Sequence, residues 1–169
     1  MNTINILLTG GVGVGKTAFL ERIMSGKFVE TYIPTHHDTK YDTLYNTNVG
    51  MIEVAFTEAP ENSWKTKTSD DFQGFDGFIY MMDVTNPDSF NSLNEFVEKV
   101  PPQTPIVCCG NKFDLRHRVS ARSIYTLLHN RFTFFYVSAK SLYDFEKPVL
   151  TILRRHYHNN TIHFKMCEV

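Results

Sequence analysis

No stretch of this chain supplies the about 20 consecutive apolar residues that a bilayer crossing requires, and nothing resembling a secretory leader precedes the first candidate strand. Neither sign of charge dominates. Lys and Arg total 17 against 18 Asp and Glu, and a net charge of −1 lacks the basic footprint of a nucleic-acid binder. Cysteine is scarce, with Cys108, Cys109 and Cys167 the only three. The first two are adjacent within an apolar run, as buried free thiols often are, which excludes a disulfide scaffold and fits a reducing compartment. Lipid signals are lacking too: Cys167 stands third from the end where prenylation needs the fourth, and Met1-Asn2 is no myristoylation start. The expectation is an unanchored chain that partners neither membrane nor nucleic acid. There is no internal repeat and no low-complexity linker. What remains is 169 residues, 42% hydrophobic and 21% charged, enough for one domain with a substantial core.

The chemistry begins at the first apolar run. Ile4 to Leu8 leads into Thr9-Gly10-Gly11-Val12-Gly13-Val14-Gly15-Lys16-Thr17, and Ala18 to Met24 continues at helical spacing. Strand, glycine-rich loop and helix are the context that gives G-x-x-x-x-G-K-T its meaning. Glycines let the backbone wrap an anion, so that the N–H groups of Gly11, Gly13, Val14, Gly15, Lys16, Thr17 and Ala18 converge on phosphate oxygens at the positive end of a helix. Lys16 is expected to bridge β- and γ-phosphate oxygens, and the Thr17 hydroxyl to ligate Mg²⁺. A nucleoside triphosphate with Mg²⁺ is the expected ligand.

Ser25-Gly26 stops the first helix, and 27–38 reads as a loop of about a dozen residues, long enough to suggest function. Thr39 to Tyr45 and Val49 to Thr57 read as a hairpin turning at Asn46-Thr47-Asn48. Glu58 to Gln73 shows little periodicity and reads as the least structured part. Gly77 to Val84 is a continuous apolar run, as in a strand buried on both faces. Asn86-Pro87-Asp88 opens a helix with Phe90, Leu93, Phe96, Val97 and Val100 on one stripe, ended by Pro101-Pro102. A strand at Pro105 to Gly110, a basic loop, a helix at Ala121 to Asn130, a strand at Phe132 to Val137 and a closing helix at Phe145 to Tyr157 follow. Strands alternating with helices after one early hairpin predict a three-layer α/β fold, its sheet mostly parallel with one antiparallel strand. Asn159 to Val169 reads as a loosely packed tail.

Asn111-Lys112-Phe113-Asp114 and Ser138-Ala139-Lys140 each follow a strand, on the sheet edge where ligands of open α/β sheets sit. The Asp114 carboxylate can accept two parallel hydrogen bonds, which guanine offers from its ring N–H and exocyclic amine and adenine does not. The Ala139 N–H is placed to serve the guanine carbonyl, and the stems of Lys112 and Lys140 to cover the ring faces. N-K-x-D alone is a short match. Three motifs at three strand ends, in this order, point to GTP or GDP.

These residues resemble the Ras superfamily of small GTPases over essentially the whole chain, and within it the Ran branch, which serves nuclear transport. Tyr32-Ile33-Pro34-Thr35, Phe78 to Thr85, Pro105 to Lys112 and Ser138 to Pro148, with its Phe145-Glu146-Lys147-Pro148, carry the Ran likeness. The resemblance implies a six-stranded P-loop GTPase fold over residues 1–158 with a short tail at 159–169. It implies a monomer of nucleus and cytoplasm that meets importin-β-like transport receptors and Ran regulators. Residues 27–38 would be the first switch. There Thr35 would give its hydroxyl to Mg²⁺ and its N–H to the γ-phosphate, Phe28 would pack against guanine, and Tyr32 would close over the phosphates. Ser138, Ala139 and Lys140 would complete the base site. Arg116, His117, Arg118 and Arg122 correspond to a basic loop facing acidic receptor surface. The acidic C-terminal extension of Ran has no counterpart before Val169.

The likeness fails where hydrolysis is controlled. The family's second switch opens Asp-x-x-Gly-Gln, whereas this chain reads Glu58-Ala59-Pro60-Glu61-Asn62. Glu58 takes the place of the Asp that holds Mg²⁺ through water. Pro60 or Glu61 replaces the Gly whose N–H meets the γ-phosphate, a donor that proline lacks. Glu61 or Asn62 stands where Gln orients the attacking water, and glutamate accepts but does not donate. Val12 occupies a position that is Gly in Ran and Ras, close to the catalytic Gln and to an activator's arginine finger. The expectation is a chain that binds Mg²⁺·GTP and hydrolyses it slowly, with Lys16, Thr35 and either Glu61 or Asn62 as what catalytic machinery remains. The alternatives are a pseudo-GTPase binding module acting independently of nucleotide and a fully cycling Ran-type GTPase.

Overall fold

The computed structural model describes residues 3–31, 33–120, 124 and 131–165. Its strands are β1 (Ile4–Gly10), β2 (Thr39–Thr47), β3 (Gly50–Glu58), β4 (Gly77–Asp83), β5 (Ile106–Asn111) and β6 (Phe132–Tyr136). They form one sheet in the order β2-β3-β1-β4-β5-β6, in which only β2 and β3 pair antiparallel. The helices are α1 (Lys16–Ser25), α2 (Glu61–Thr66), α3 (Leu93–Lys99) and α4 (Lys147–His156), with 3-10 turns at Asp70–Phe72 and Pro87–Phe90. The expected six-stranded α/β architecture is the observed one.

The continuous apolar runs of the central strands follow from a core on each face of the sheet. Ile4, Ile6 and Leu8 of β1 join Ile79, Met81, Val107 and Cys109 under α1 and α4, where Phe19, Leu20, Val149, Ile152 and Leu153 close the layer. Leu7, Phe78, Tyr80, Ile106 and Cys108 point the other way, beneath Trp64, Phe72 and Phe96. Cys108 and Cys109 are free and buried, and burial pushes both thiols up. Register brings the phosphate-side ends together. Leu8 pairs with Glu58, Gly10 with Met81 and Asp83 with Asn111, so every central strand delivers its carboxyl end to one edge.

Four expectations are corrected. The hairpin turns at Asn48-Val49, with Thr47 opposite Gly50, because the Thr47 hydroxyl accepts from Val49 N at 3.2 Å and donates to Gly50 O at 2.6 Å, closing a shorter loop. The stripe after Asn86 is broken into a 3-10 turn and α3, since the Asn86 side chain accepts from Asp88 N at 3.1 Å and caps a separate turn.

The stretch 58–73 is not unstructured but holds a helix and a 3-10 turn, anchored by a few buried side chains. Ala59, Trp64 and Phe72 are fully buried. The Trp64 ring sits edge-on to Phe96 at 5.3 Å and Phe72 to Phe78 at 5.5 Å. A six-residue helix is too short to print a period in the sequence. Finally, the tail is not loose over residues 159–165. Ile162 is fully buried, Phe164 stacks on Tyr45 at 4.5 Å, and the backbone ties to the hairpin through Asn48 N to His163 O at 3.1 Å and Lys165 N to Asn46 O at 2.9 Å. The expected helix at 121–130 and the tail beyond 165 lie outside the described residues, apart from Ile124, which is buried.

Candidate functional site

At the shared strand edge the loop between β1 and α1 forms the floor of a cleft of about 880 Å³, within the roughly 300–1,000 Å³ usual for small-molecule sites. Gly13 and Gly15 have φ of 70° and 97°, the left-handed region that glycine enters freely. At Gly15 the need is double, because a Cβ would stand 2.5 Å from Asn111 Nδ2. The loop must therefore be bare where it crosses the end of β5. Lys16, at the first position of α1, is buried and donates to Gly11 O at 2.8 Å and Gly10 O at 3.2 Å. Burial pulls its ammonium below its ordinary value, against the opposing charges of Glu58 and Glu61. The ammonium is thus held by two backbone carbonyls of the glycine-rich loop, at the start of α1.

Beside it, Thr17, Thr35 and Glu58 meet. The Thr17 hydroxyl donates to Glu58 Oε1 at 2.7 Å, the Thr35 hydroxyl lies 3.3 Å from the same oxygen, and the two hydroxyls are 3.0 Å apart. Tyr41 OH reaches Glu58 Oε2 at 3.4 Å. Among the described residues no group of three His, Cys, Asp or Glu side chains forms a metal cluster. Hydroxyl and carboxylate oxygens are nevertheless the donors that hard Mg²⁺ prefers, so this set fits the ion.

The base end is equally organised. Asn111 donates from Nδ2 to Val14 O at 2.8 Å and accepts from Ala139 N at 3.2 Å, bridging the phosphate loop and the loop after β6. Lys112 holds φ of 63°, which aims its ammonium at Gly13 O (2.9 Å) and at Asp83 Oδ2 (2.6 Å). Asp114 Oδ1 accepts from the Ser138 hydroxyl at 2.6 Å, which fixes that carboxylate at the cleft wall. Lys140 lies 5.9 Å from the Phe28 ring centre and pairs with Glu30 at 2.8 Å, bringing 27–38 over the base end. The Lys140 hydrogen bond and charge hold the Glu30 carboxyl below its ordinary range.

Of the candidate residues, Gly13, Gly15, Lys16, Thr17, Ala18, Phe28, Thr35, Glu58, Asn111, Lys112, Asp114, Ala139 and Lys140 line the cleft. Gly11, Val14 and Ser138 sit behind its wall, buried. Tyr32 lies outside the described residues. Glu61 and Asn62 also line the cleft, but Glu61 Oε1 accepts from Lys65 at 2.7 Å and from Ser92 at 3.0 Å. Burial would raise its carboxyl, but those two hydrogen bonds, with the charges of Lys65 and Lys16, hold it below its ordinary value. Pro60 precedes α2 with φ of −64° and offers no N–H. Val12 stands at the rim, 71% exposed.

The sequence reading missed Asp83, Glu30 and Tyr41. A signal existed for Asp83, the lone carboxylate closing an apolar strand at the ligand edge. Glu30 and Tyr41 carry none, since each acts through a partner more than fifteen residues away. Compared with known families, the chain matches the model of the Ras family over residues 5–158.

Proposed function

The chain belongs to the Ras family of small GTP-binding proteins, whose members bind guanine nucleotide with Mg²⁺, and on that premise we propose that its cleft holds Mg²⁺·GTP and hydrolyses it slowly. The observation that carries this is the meeting of five distant segments in one cleft. A buried Lys16 suits phosphate, Thr17, Thr35 and Glu58 suit a hard cation, and Asp114 with Asn111 and Ala139 suits a base. In this reading Phe28 and the stems of Lys112 and Lys140 cover the guanine, and Asp114 selects it by leaving adenine unpaired.

Slow hydrolysis is supported by three features of the second loop and the rim. Pro60 has no N–H to give the γ-phosphate. The Glu61 carboxylate is engaged with Lys65 and Ser92, and brings negative charge beside an anion. Val12 projects from the rim where an activator's arginine would enter, a contribution worth roughly 10³–10⁵ in rate.

Within the family, the Ran-like stretches support assignment to that branch, with residues 1–158 as the nucleotide domain, importin-β-like receptors and Ran regulators as partners, and nucleus and cytoplasm as location. Arg116, His117 and Arg118 are exposed and available to acidic receptor surface. Arg122 lies outside the described residues. Chromatography of nucleotide released from the purified protein tests the reading. GTP is expected. GDP alone indicates a cycling GTPase, and no guanine nucleotide indicates a binding module that works without one.

A further inference from the structure

We propose that Glu58 ligates the divalent cation directly, sharing one face of its coordination shell with Thr17 and Thr35; this rests on the Mg²⁺·GTP reading above. Thr17 Oγ1, Thr35 Oγ1 and Glu58 Oε1 form a closed triangle with edges of 2.7, 3.0 and 3.3 Å. Were all three edges hydrogen bonds, three protons would be needed. The set has two, because each hydroxyl carries one and a carboxylate only accepts. One edge is therefore a contact between lone pairs, beside a Glu58 side chain with no exposure to water that could dilute it. A cation against this face gives each of the three oxygens a positive partner.

The dimensions favour a small ion. Six oxygens at about 2.0–2.1 Å around Mg²⁺ in octahedral array stand about 2.9 Å from their neighbours, and the three edges bracket that spacing. Ca²⁺, with bonds of about 2.3–2.6 Å, sets oxygens wider in six-fold array. The backbone explains why a glutamate reaches. Its Cα is fixed opposite Leu8 by the β1–β3 ladder, and Ala59 N donates to Leu8 O at 2.9 Å directly after it. An aspartate on that backbone falls short by one carbon–carbon bond, about 1.5 Å, and a water must bridge the gap. Tyr41 donates to the second oxygen, Oε2, and so orients the carboxylate with Oε1 toward the threonines. The glutamate thus replaces an aspartate and its bridging water with a single, directly bound side chain.

The test counts waters on the ion. The full chain is loaded with Mn²⁺ and a non-hydrolysable GTP analogue, bound nucleotide is quantified by chromatography, and electron paramagnetic resonance in ¹⁷O-enriched water reads the number of water ligands. Thr17, Thr35, Glu58 and two phosphate oxygens leave room for one water in a six-coordinate shell, so one is expected. Glu58→Asp is expected to show one water more and at least about a tenfold higher Mn²⁺ half-saturation. Two waters in the unaltered chain, or equal counts in both proteins, overturn the proposal and leave nucleotide binding standing. Loss of guanine nucleotide from the unaltered chain overturns the underlying reading and this proposal with it. Should Glu58→Asp fail to fold, the count in the unaltered chain decides alone.

Discussion

Lys112 and Asp83 form an ion pair at 2.6 Å, and the same ammonium donates to Gly13 O at 2.9 Å, so one lysine fastens the loop after β5 to the end of β4 and to the glycine-rich loop. The Asp83 side chain is 9% exposed and also accepts from Thr85 N and Oγ1, which holds it in place. Removing its charge frees Lys112 to swing out of the cleft. Asp83→Asn is expected to speed release of a fluorescent guanine nucleotide by about tenfold, the effect of one charge-assisted hydrogen bond of roughly 1.5 kcal/mol. Stopped-flow displacement measures it. An unchanged release rate in a folded variant contradicts the fastening role.

The sole tryptophan reports on the second loop. Trp64 is fully buried, with the Lys99 and Lys65 ammonium groups 5.5 and 5.8 Å from its ring and Lys99 donating to Lys65 O. Asp38, at the end of the first loop, takes Lys67 at 2.9 Å and the Ser63 hydroxyl. Residues 59–72 are thereby held from three sides. Trp64 emission is expected to be the same with GDP and with a non-hydrolysable GTP analogue, and a spectral shift between them contradicts a fixed α2. Trp64→Ala should cost about 3–5 kcal/mol of stability in urea unfolding. Trp64→Phe should cost less, since it keeps an aromatic ring in the site and removes an Nε1–H that has no partner among the described residues.

Glu61 contributes to the acid limb of stability. Its folded carboxyl is held below its ordinary value of 4.5 by Lys65 and Ser92, so the unfolded chain binds a proton first as pH falls. The pair's contribution is thus full above about pH 4.5 and is lost as pH drops through the lower folded value. Glu61→Gln is expected to flatten that limb and to leave stability near neutral pH slightly reduced. Urea midpoints measured from pH 3 to pH 7 on both proteins check the sign.

Regular periodicity made the fold legible. Double-sided burial wrote β1, β4 and β5 as apolar runs, and glycine and lysine spacing marked the phosphate loop without help from distant residues. Motifs at strand ends were legible for the same reason, since topology alone gathers them. Trp64 and Phe72 were not, because seven residues of polar chain separate them and the six-residue α2 that carries Trp64 completes fewer than two turns. The tail was opaque on different grounds. Ile162 and Phe164 alternate with polar residues over too short a span to declare a strand, and the hairpin that receives them lies over a hundred residues earlier.

That hidden docking has a measurable cost. Ile162 is fully buried, and Arg154 Nε donates to Ile162 O at 2.8 Å, tying the tail to α4 as well as to the hairpin. Ile162→Ala is expected to lower stability by about 2–5 kcal/mol, as for an aliphatic core truncation. Phe164→Ala should cost less, because Phe164 is only partly buried against the core and mainly stacks on Tyr45. Guanidinium or urea denaturation reads both. A loose tail would leave both midpoints where they started.

On the slow-hydrolysis reading proposed above, faster turnover should require more than one substitution. Val12 projects from the rim, the Glu61 carboxylate is engaged by Lys65 and Ser92, and Pro60 lacks an N–H. In single-turnover assays the unaltered chain is expected at or below about 10⁻⁴ s⁻¹, the slow end of unassisted GTP hydrolysis. Val12→Gly alone opens the rim but leaves nothing to orient water, so its rate should rise by less than about tenfold. Adding Glu61→Gln removes the ion pair to Lys65 and supplies a side chain that both donates and accepts, so the double variant should exceed either single one. The proline still denies the γ-phosphate its backbone donor, which keeps the double variant below a rate that a glycine at position 60 would permit. A single Val12→Gly variant that hydrolyses GTP as fast as the double one would place the whole obstruction at the rim and clear Glu61 of any part in it.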